Sequence, residues 1–308
     1  MTRSPDPRTG AAEIADGVFV FTSGAFAMTS TVVLDADARA AGRAAGRAPG
    51  SPSARPALLV DPGYFPAEIE RIAAFLEDAG AVPSRIVLTH SDWDHVAGAA
   101  RFPDARVVAS SMFPVRAASD GERIARSLRA FDEKLYVRRE AFEIPDPASL
   151  AGSPSDLVWD GPSVHLLPAG GHTSDGLMTL FRESGVLAAG DHLSDREIPF
   201  IGDSAFAYRE TLAAVRRLVA RGEARLLVPG HGDVCGPDEI LARIDEDLDY
   251  LDRLESWVRE VLRTVDTVPG ILERCGEVVF RKGWDNPDIH AEHRANVTLV
   301  ARGLGAKE

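Results

Sequence analysis

Short apolar runs alternate along the chain with longer stretches in which apolar residues recur at helical spacing. This alternation is typical of an α/β protein. The apolar runs predict strands over 17–21, 30–35, 57–60, 85–90, 106–109, 163–167, 177–181, 185–189 and 225–228. The amphipathic stretches predict helices over 66–79, 208–221 and 237–264. The strands 57–60 and 85–90 are expected to be parallel, because the helix between them provides the crossover that parallel strands need.

Two polar segments interrupt this pattern. Residues 36–56 are dominated by Ala, Arg, Gly and Pro, a composition that cannot bury enough apolar surface to order itself, so we expect a floppy surface loop. Residues 120–160 are charged, with weak helical signals and an end rich in Pro, Ser and Gly. They form either a lid over a site or a surface excursion, and the excursion is favoured because charge runs are usually solvated. The chain after residue 264 is expected to be helical.

Composition narrows the class of protein. The 308 residues are 45% hydrophobic and 26% charged, which is ordinary for a soluble globular protein. A net charge of −13 disfavours nucleic acid as the main partner, since phosphate binding needs an excess of Lys and Arg. Cys235 and Cys275 make no disulfide framework, and the sequence shows neither a signal peptide nor a transmembrane run. We therefore expect a cytoplasmic protein that acts on a small molecule and not on a membrane.

One segment carries the densest set of metal-binding side chains. The apolar residues 86–88 predict a buried strand, and His90, Asp92, Asp94 and His95 follow it directly. Alternate side chains at the end of a strand point the same way, and His95 can turn in from the start of a following helix. Oxygen and imidazole ligands this close together predict a metal site at the carboxyl end of a strand, where α/β proteins commonly bind their ligands.

Three further candidates occupy matching positions beside glycine at the ends of apolar strands. They are His172 in Gly-Gly-His-Thr, Asp191 in Ala-Gly-Asp-His and His231 in Pro-Gly-His-Gly. Glycine lets the backbone turn sharply and bring such a side chain close to a partner. A single histidine at a strand end is more often structural than a ligand, but the repetition of the same context favours one shared site.

The order of these motifs, H-x-D-x-D-H over 90–95, then G-H-T, G-D and P-G-H-G, resembles that of the metallo-β-lactamase-fold superfamily of hydrolases. The turn at Asp61-Pro62-Gly63 is similar to the acidic turn that ends a strand in this family. The resemblance implies a four-layer αββα sandwich with two metals at one edge of the facing sheets. It places the family core at 12–236 and leaves 237–308 as a helical C-terminal extension of a single domain spanning 1–308.

The resemblance also implies a ligand set. A first metal site would use His90, Asp92 and His172, and a second would use Asp94, His95 and His231, with Asp191 bridging both. The family usually has histidine where this chain has Asp92. A carboxylate makes the first site harder and more anionic, so the expected Zn has Fe and Mn as alternatives. Flavodiiron proteins of the superfamily also carry an acid here. The other interpretation is that Asp92 supports a ligand and only one metal binds tightly.

The function implied is hydrolysis of a small-molecule ester, thioester or lactone by a hydroxide that bridges two divalent metal ions. Asp94 would orient this nucleophile and shuttle its proton, and Asp61 would support a ligand without being one. Alternatives are a di-iron redox enzyme acting on oxygen, peroxide or a persulfide, a metal-dependent phosphodiesterase, and a binding protein without activity.

The remaining polar and aromatic candidates receive lesser roles. His165 is assigned none, and His192 is expected to point away from the metals, with a place in the pocket wall as the alternative. Cys235 is expected to be a buried apolar residue. Surface positions are predicted for His290 and His293, and Trp93, Phe200 and Tyr208 either wall the substrate pocket or simply pack. The apolar stripe of the helix 237–264 serves either core packing or a homodimer contact.

Overall fold

A computed structural model of the protein describes residues 10–35, 55–139, 141–275 and 289–308. The loop predicted over 36–56 lies outside these ranges, except for Arg55 and Pro56, which begin a strand.

The described residues form two β-sheets. In chain order the strands are β1 (Ala11–Ala15), β2 (Val18–Thr22), β3 (Thr29–Leu34), β4 (Arg55–Val60), β5 (Ala81–Val87), β6 (Arg106–Ser110), β7 (Ser149–Ala151), β8 (Ser155–Leu157), β9 (Val164–Pro168), β10 (Leu177–Phe181), β11 (Val186–Ala188) and β12 (Leu226–Val228). The larger sheet runs from β1 to β7 in order, and the smaller has the order β12-β11-β10-β9-β8. Neighbours from β4 to β7 are parallel, as are β11 and β12, and the other pairs are antiparallel.

Helices cover the outer faces of both sheets. They are α1 (Pro66–Asp78), α2 (Trp93–Val96), α3 (Phe113–Lys134), α4 (Ala205–Ala220), α5 (Pro237–Leu262), α6 (Val268–Cys275) and α7 (Ile289–Gly303). As expected, α1 connects the parallel strands β4 and β5. None of the helices in the described ranges is long and apolar enough to cross a membrane.

Strand β4 shows how the layers are built. Ala57 and Leu59 pack with α1, whereas Leu58 and Val60 pack against the smaller sheet. Side chains alternate between the faces of a strand, so a strand buried on both faces must be apolar at every position. On the far side of the smaller sheet, α4 to α7 bury a third apolar layer. The protein is therefore a four-layer αββα sandwich, as the sequence predicted.

The region predicted as a surface excursion contains more structure than its charge suggested. It begins inside α3, whose Ile124, Leu128 and Phe131 are buried while most of the charged residues between them face solvent. Two short strands, β7 and β8, lie at its far end. The segment favoured as a surface excursion thus includes a helix that packs on the fold, because a highly charged helix needs only one narrow apolar face to be buried.

The apolar stripe of the helix predicted over 237–264 lies inside the chain. Ile240, Ile244, Leu251 and Val258 of α5 are buried in the same apolar layer as α4 and the smaller sheet. This stripe serves core packing.

His293, in the C-terminal part of the chain, was predicted at the surface, and this prediction was wrong. Its side chain is buried and hydrogen-bonds to Tyr250 and to the carbonyl of Cys275.

Candidate metal centre

The strand ends of both sheets meet at one edge of the sandwich. All seven predicted ligands come together there, namely His90, Asp92, Asp94, His95, His172, Asp191 and His231. Two hydrogen bonds join the sheets beside them, from the Leu177 N–H to the carbonyl of Thr89 and from the Thr29 N–H to the carbonyl of Gly230, each 2.7 Å long. The site is therefore built on rigid backbone from both halves of the sandwich.

Asp191 lies between two pairs of histidines. Its Oδ2 is 3.6 Å from Nε2 of His90 and 3.4 Å from Nε2 of His172. Its Oδ1 is 3.1 Å from Nε2 of His95 and 3.6 Å from Nε2 of His231. One carboxylate thus faces both pairs, with a separate oxygen for each.

Each pair of histidines has one further carboxylate. Oδ2 of Asp92 lies 3.4 Å from Nε2 of His90 and 3.5 Å from Nε2 of His172. On the other side, Oδ2 of Asp94 lies 3.2 Å from Nε2 of His231 and 3.8 Å from Nε2 of His95. The side chains therefore divide into two groups, each with two imidazoles and one carboxylate, and Asp191 lies between them.

The outer nitrogen of every imidazole has a partner that orients the ring. Nδ1 of His90 is 3.0 Å from Oγ1 of Thr89, and Nδ1 of His95 is 2.8 Å from Oδ2 of Asp61. The Thr89 hydroxyl donates to the same carboxylate at 2.6 Å, so it accepts from His90. On the other side of the site, Nδ1 of His172 donates to the carbonyl of Phe200 at 2.9 Å.

Nδ1 of His231 donates to the carbonyl of Phe26 at 3.1 Å. With Nδ1 occupied, each imidazole is left with Nε2 as an acceptor toward the centre. Within the described part of the chain, Nε2 of His90, His95 and His172 and Oδ1 of Asp191 are buried with no hydrogen-bond partner. Buried nitrogen and oxygen atoms that converge without other partners fit divalent cations, and imidazole and carboxylate ligands suit Zn, Fe or Mn.

The proximity of carboxylates and imidazoles shifts the pKa of both. Burial alone would raise the pKa of Asp92, but the nearby imidazoles of His172 and His90 and the guanidinium of Arg116 hold it well below its usual range. Burial likewise opposes protonation of His231, yet Asp191 and other nearby acids raise the pKa of this imidazole to about 10. Without a metal ion the carboxylates therefore favour protonation of this imidazole, and a bound metal ion would take the place of that proton.

Backbone geometry brings two of these segments into place. Asp61 adopts a left-handed conformation with φ of 45°, and its Oδ1 accepts the N–H of Thr89 at 2.9 Å. Gly230 lies against Asp191, where an added Cβ would be 2.1 Å from the Oδ1 atom of that residue. Glycine is therefore required before His231 because the backbone approaches a carboxylate directly.

Sequence reasoning missed a buried arginine beside the ligands. Nη2 of Arg116, on α3, is 2.6 Å from Oδ1 of Asp92, and Nη1 donates to Oγ of Ser91 at 2.7 Å. Nη1 also lies 3.5 Å from Oδ1 of Asp175, which is fully buried. The available signal was the position of Arg116 on the same helical face as Ile124, where a charge is out of place unless it is paired.

A cavity of about 270 Å³ opens beside the ligands. Its apolar wall includes Phe26, Trp93, Phe200 and Tyr208, so the three aromatic residues weighed as pocket walls do line it. Beyond the seven candidate ligands, the charged side chains on its wall are all acidic, namely Glu197, Asp247 and Glu292, and among the described residues no Lys or Arg lines it. Burial, reinforced by nearby carboxylates, raises the pKa of Glu197 to about 7.

The other histidines and Cys235 lie outside this cavity wall. His165 is on β9 and contacts Asp156 at 2.7 Å. The His192 ring packs on Tyr208 with 4.6 Å between ring centroids, and burial with the nearby His172 lowers its pKa to about 3. Cys235 is buried, as expected.

Comparisons with known proteins bear on the fold. A family profile described as the metallo-beta-lactamase superfamily matches residues 53–231. The metallo-beta-lactamase family protein TTHA1429 from Thermus thermophilus is 18% identical, with a TM-score of 0.63 over 96% of each chain. A metallo-beta-lactamase from Pontibacter korlensis is 15% identical, with a TM-score of 0.54 over 76% of this chain and 96% of its own.

A double mutant of the sec-alkyl sulfatase PisA1 is 15% identical, with a TM-score of 0.68 over 96% of this chain. The match covers 50% of the sulfatase. No protein with curated annotation matches the sequence. Since the family profile covers more than half of the chain, the protein belongs to the metallo-β-lactamase superfamily. Members of this fold family are hydrolases.

Proposed function

We propose that the protein is a metal-dependent hydrolase of a small uncharged carboxylic ester, thioester or lactone. The observation that carries the proposal is the position of Asp191, whose two oxygens face two separate groups of ligand-type side chains. Such an arrangement suits two cations held side by side and sharing one carboxylate.

We assign the ligands from these contacts. One cation would be held by His90, Asp92 and His172, and the other by Asp94, His95 and His231, with Asp191 shared. When bound, two divalent cations lower the pKa of a water molecule and polarise the oxygen of the bond to be cleaved. Zn is the metal we expect, and the carboxylate of Asp92 keeps Fe and Mn as alternatives.

The chain's own residues would supply position and proton transfer. Asp94 lines the cavity as well as facing His231, so its carboxylate is placed to orient an attacking water and take up its proton. The aromatic wall formed by Phe26, Trp93 and Phe200 would hold the acyl or leaving group and exclude bulk water.

The charge of the cavity supports an uncharged substrate. A sulfate ester or a phosphodiester carries a negative charge, and sites for such groups usually offer arginine or lysine. The described lining beyond the ligands offers Glu197, Asp247 and Glu292 instead. The name of the sec-alkyl sulfatase PisA1 indicates sulfate esters as its substrates, and it shares the fold with this chain. The acidic cavity of this chain favours a neutral ester instead.

The test combines metal analysis with a substrate panel. Protein purified without chelator should contain about two divalent ions per chain by mass spectrometry, as expected for a binuclear site. It should hydrolyse carboxylic esters, thioesters or lactones faster than alkyl sulfates and bis-aryl phosphates of similar size. Faster turnover of the anionic substrates would contradict the proposed substrate class, and an iron-only protein active with oxygen or peroxide would favour the redox alternative.

A further inference from the structure

We propose that Arg116 is a positioning residue that allows a carboxylate, Asp92, to replace the imidazole usual at this position of the metal centre. The inference deepens the proposed function, because it depends on Asp92 being a ligand. It concerns metal binding and can therefore be tested without knowledge of the substrate.

The two oxygens of Asp92 have separate partners. Oδ1 accepts from Nη2 of Arg116 at 2.6 Å. Oδ2 is the oxygen that faces Nε2 of His90 and Nε2 of His172, at 3.4 and 3.5 Å. The guanidinium thus fixes the carboxylate through one oxygen and leaves the other directed at the first ligand group.

Arg116 is itself held on several sides. Its side chain is only 9% exposed. Nη1 donates to the Ser91 hydroxyl at 2.7 Å and lies 3.5 Å from Oδ1 of Asp175, whose Oδ2 accepts the Ser91 N–H at 3.0 Å. The planar guanidinium carries several donors in a fixed geometry, so these contacts hold it in one orientation.

Charge gives the reason for this arrangement. Asp92, Asp94 and Asp191 place three carboxylates within one buried cluster, whereas an imidazole at position 92 would leave two. An unpaired buried charge is costly. Arg116 places one positive charge beside Asp92 and the buried Asp175, and so offsets the charge that a carboxylate at position 92 adds relative to a neutral imidazole. The first group therefore keeps a hard oxygen ligand without an additional net negative charge.

A double-mutant cycle tests the coupling between the two residues. The variants are Arg116→Met, Asp92→His and the double substitution, and the readouts are the number of bound Zn²⁺ ions and their Kd from calorimetric titration of the metal-free protein. Arg116→Met should weaken the first site about 10- to 100-fold, as is typical for loss of a group that orients a ligand. Asp92→His alone should also weaken it, because the guanidinium then faces a neutral ring and a cation.

The double variant should bind the first ion more tightly than Arg116→Met does, since a neutral imidazole needs no counter-ion and Asp175 loses its guanidinium partner in both variants. Arg116→Lys, which keeps the charge but loses the planar geometry, should bind the first ion more tightly than Arg116→Met does. If Arg116→Met fails to fold, the double variant and Arg116→Lys can still be compared with the wild type. The matched control is Arg139→Met, because Arg139 is similarly buried but pairs with Asp132 at 2.9 Å and contacts none of the candidate ligands.

The proposal is overturned if Arg116→Met binds two Zn²⁺ ions with wild-type affinity. It is also overturned if the double variant binds as weakly as Arg116→Met, or if Arg139→Met produces the same loss. A wild-type protein that binds two ions but hydrolyses no ester would count against the proposed function alone. The two ideas can therefore fail separately.

Discussion

The Nδ1 atom of His95 donates to Oδ2 of Asp61 at 2.8 Å, and this carboxylate also binds the backbone and hydroxyl of Thr89. We expect Asp61→Asn to weaken metal binding about 10- to 100-fold, because the charged acceptor that orients His95 is lost. Asn tolerates the left-handed backbone at this position as Asp does, so the change tests the hydrogen bonds and not the strain. The measurement is calorimetric titration with Zn²⁺.

Glu70→Gln provides the control for that experiment, since it removes an exposed ion pair with Arg101 at 2.7 Å that contacts none of the candidate ligands. Its metal affinity should equal that of the wild type. Equal affinity in Asp61→Asn as well would show that Asp61 does not orient a ligand.

Asp94→Ala should reduce kcat on the best ester of the panel by about 10²- to 10⁴-fold, the range for loss of a group that transfers a proton. Asp233→Ala is a suitable control, because Asp233 is exposed and pairs with Arg196 outside the cavity. Initial rates at saturating substrate give the comparison. Unchanged turnover in Asp94→Ala would defeat the assigned mechanism.

Gly230→Ala should abolish binding of both metal ions, because the new Cβ would lie 2.1 Å from Oδ1 of Asp191 and 3.0 Å from Cε1 of His95. Gly236→Ala is the matched control, since no neighbouring atom of the described residues lies within 4 Å of a Cβ at that position. Metal content after desalting distinguishes the two variants. Full metal content in Gly230→Ala would mean that the loop can move away from Asp191.

Metal binding should release protons at pH 7. Facing carboxylates raise the pKa of His95 and His172 despite burial and raise that of His231 to about 10, so protons compete with the metal ion for these imidazoles. A metal ion binds neutral imidazole, so affinity should rise as the pH rises toward these pKa values. Zn²⁺ titrations in two buffers with different ionisation enthalpies measure the release, and identical heats in both buffers would contradict it.

Asn296→Ala should lower both stability and metal affinity. Its buried amide donates to the carbonyl of Pro199 at 2.6 Å and accepts the N–H of Ile201 at 2.8 Å. Between them lies Phe200, whose carbonyl orients His172. Leaving these backbone groups unpaired should cost about 1–3 kcal/mol in the free energy of unfolding.

Chemical denaturation and Zn²⁺ titration of Asn296→Ala test both effects. Thr298→Ala, on the same helix with its hydroxyl bonded to the carbonyl of Arg294, should change neither quantity appreciably. A loss of stability without any loss of metal affinity would limit Asn296 to a structural role.

Residues that follow a strand directly could be located from the sequence. The candidate ligands at 90–95 and at 172, 191 and 231 each come after an apolar run and beside a turn, so local pattern and topology together place them at one edge. The boundary of β5 differs from the prediction of 85–90, since the strand ends at Val87 and the chain then forms the loop that carries His90.

The partners of these ligands could not be located in the same way. The helical face of Arg116 hinted at its burial, but only tertiary packing shows that Asp92 and Asp175 are its partners. Asp175 and Asn296 are similar, because each is a polar residue whose partners are distant along the chain. Local propensity predicts that such residues are exposed to solvent. They are buried because polar partners from distant parts of the chain satisfy their hydrogen bonds.

Helix α7 lies well beyond the stretch that the family profile matches, yet it supplies Glu292 to the cavity wall and Asn296 to the neighbouring loop. Relatives that share the matched stretch but carry different tails would consequently present differently shaped and differently charged cavities. Exchanging tails between such proteins, together with residues 199–201, is therefore a practical route to altering which molecules are accepted while the seven candidate ligands themselves are kept, provided that the exchanged loop still orients His172.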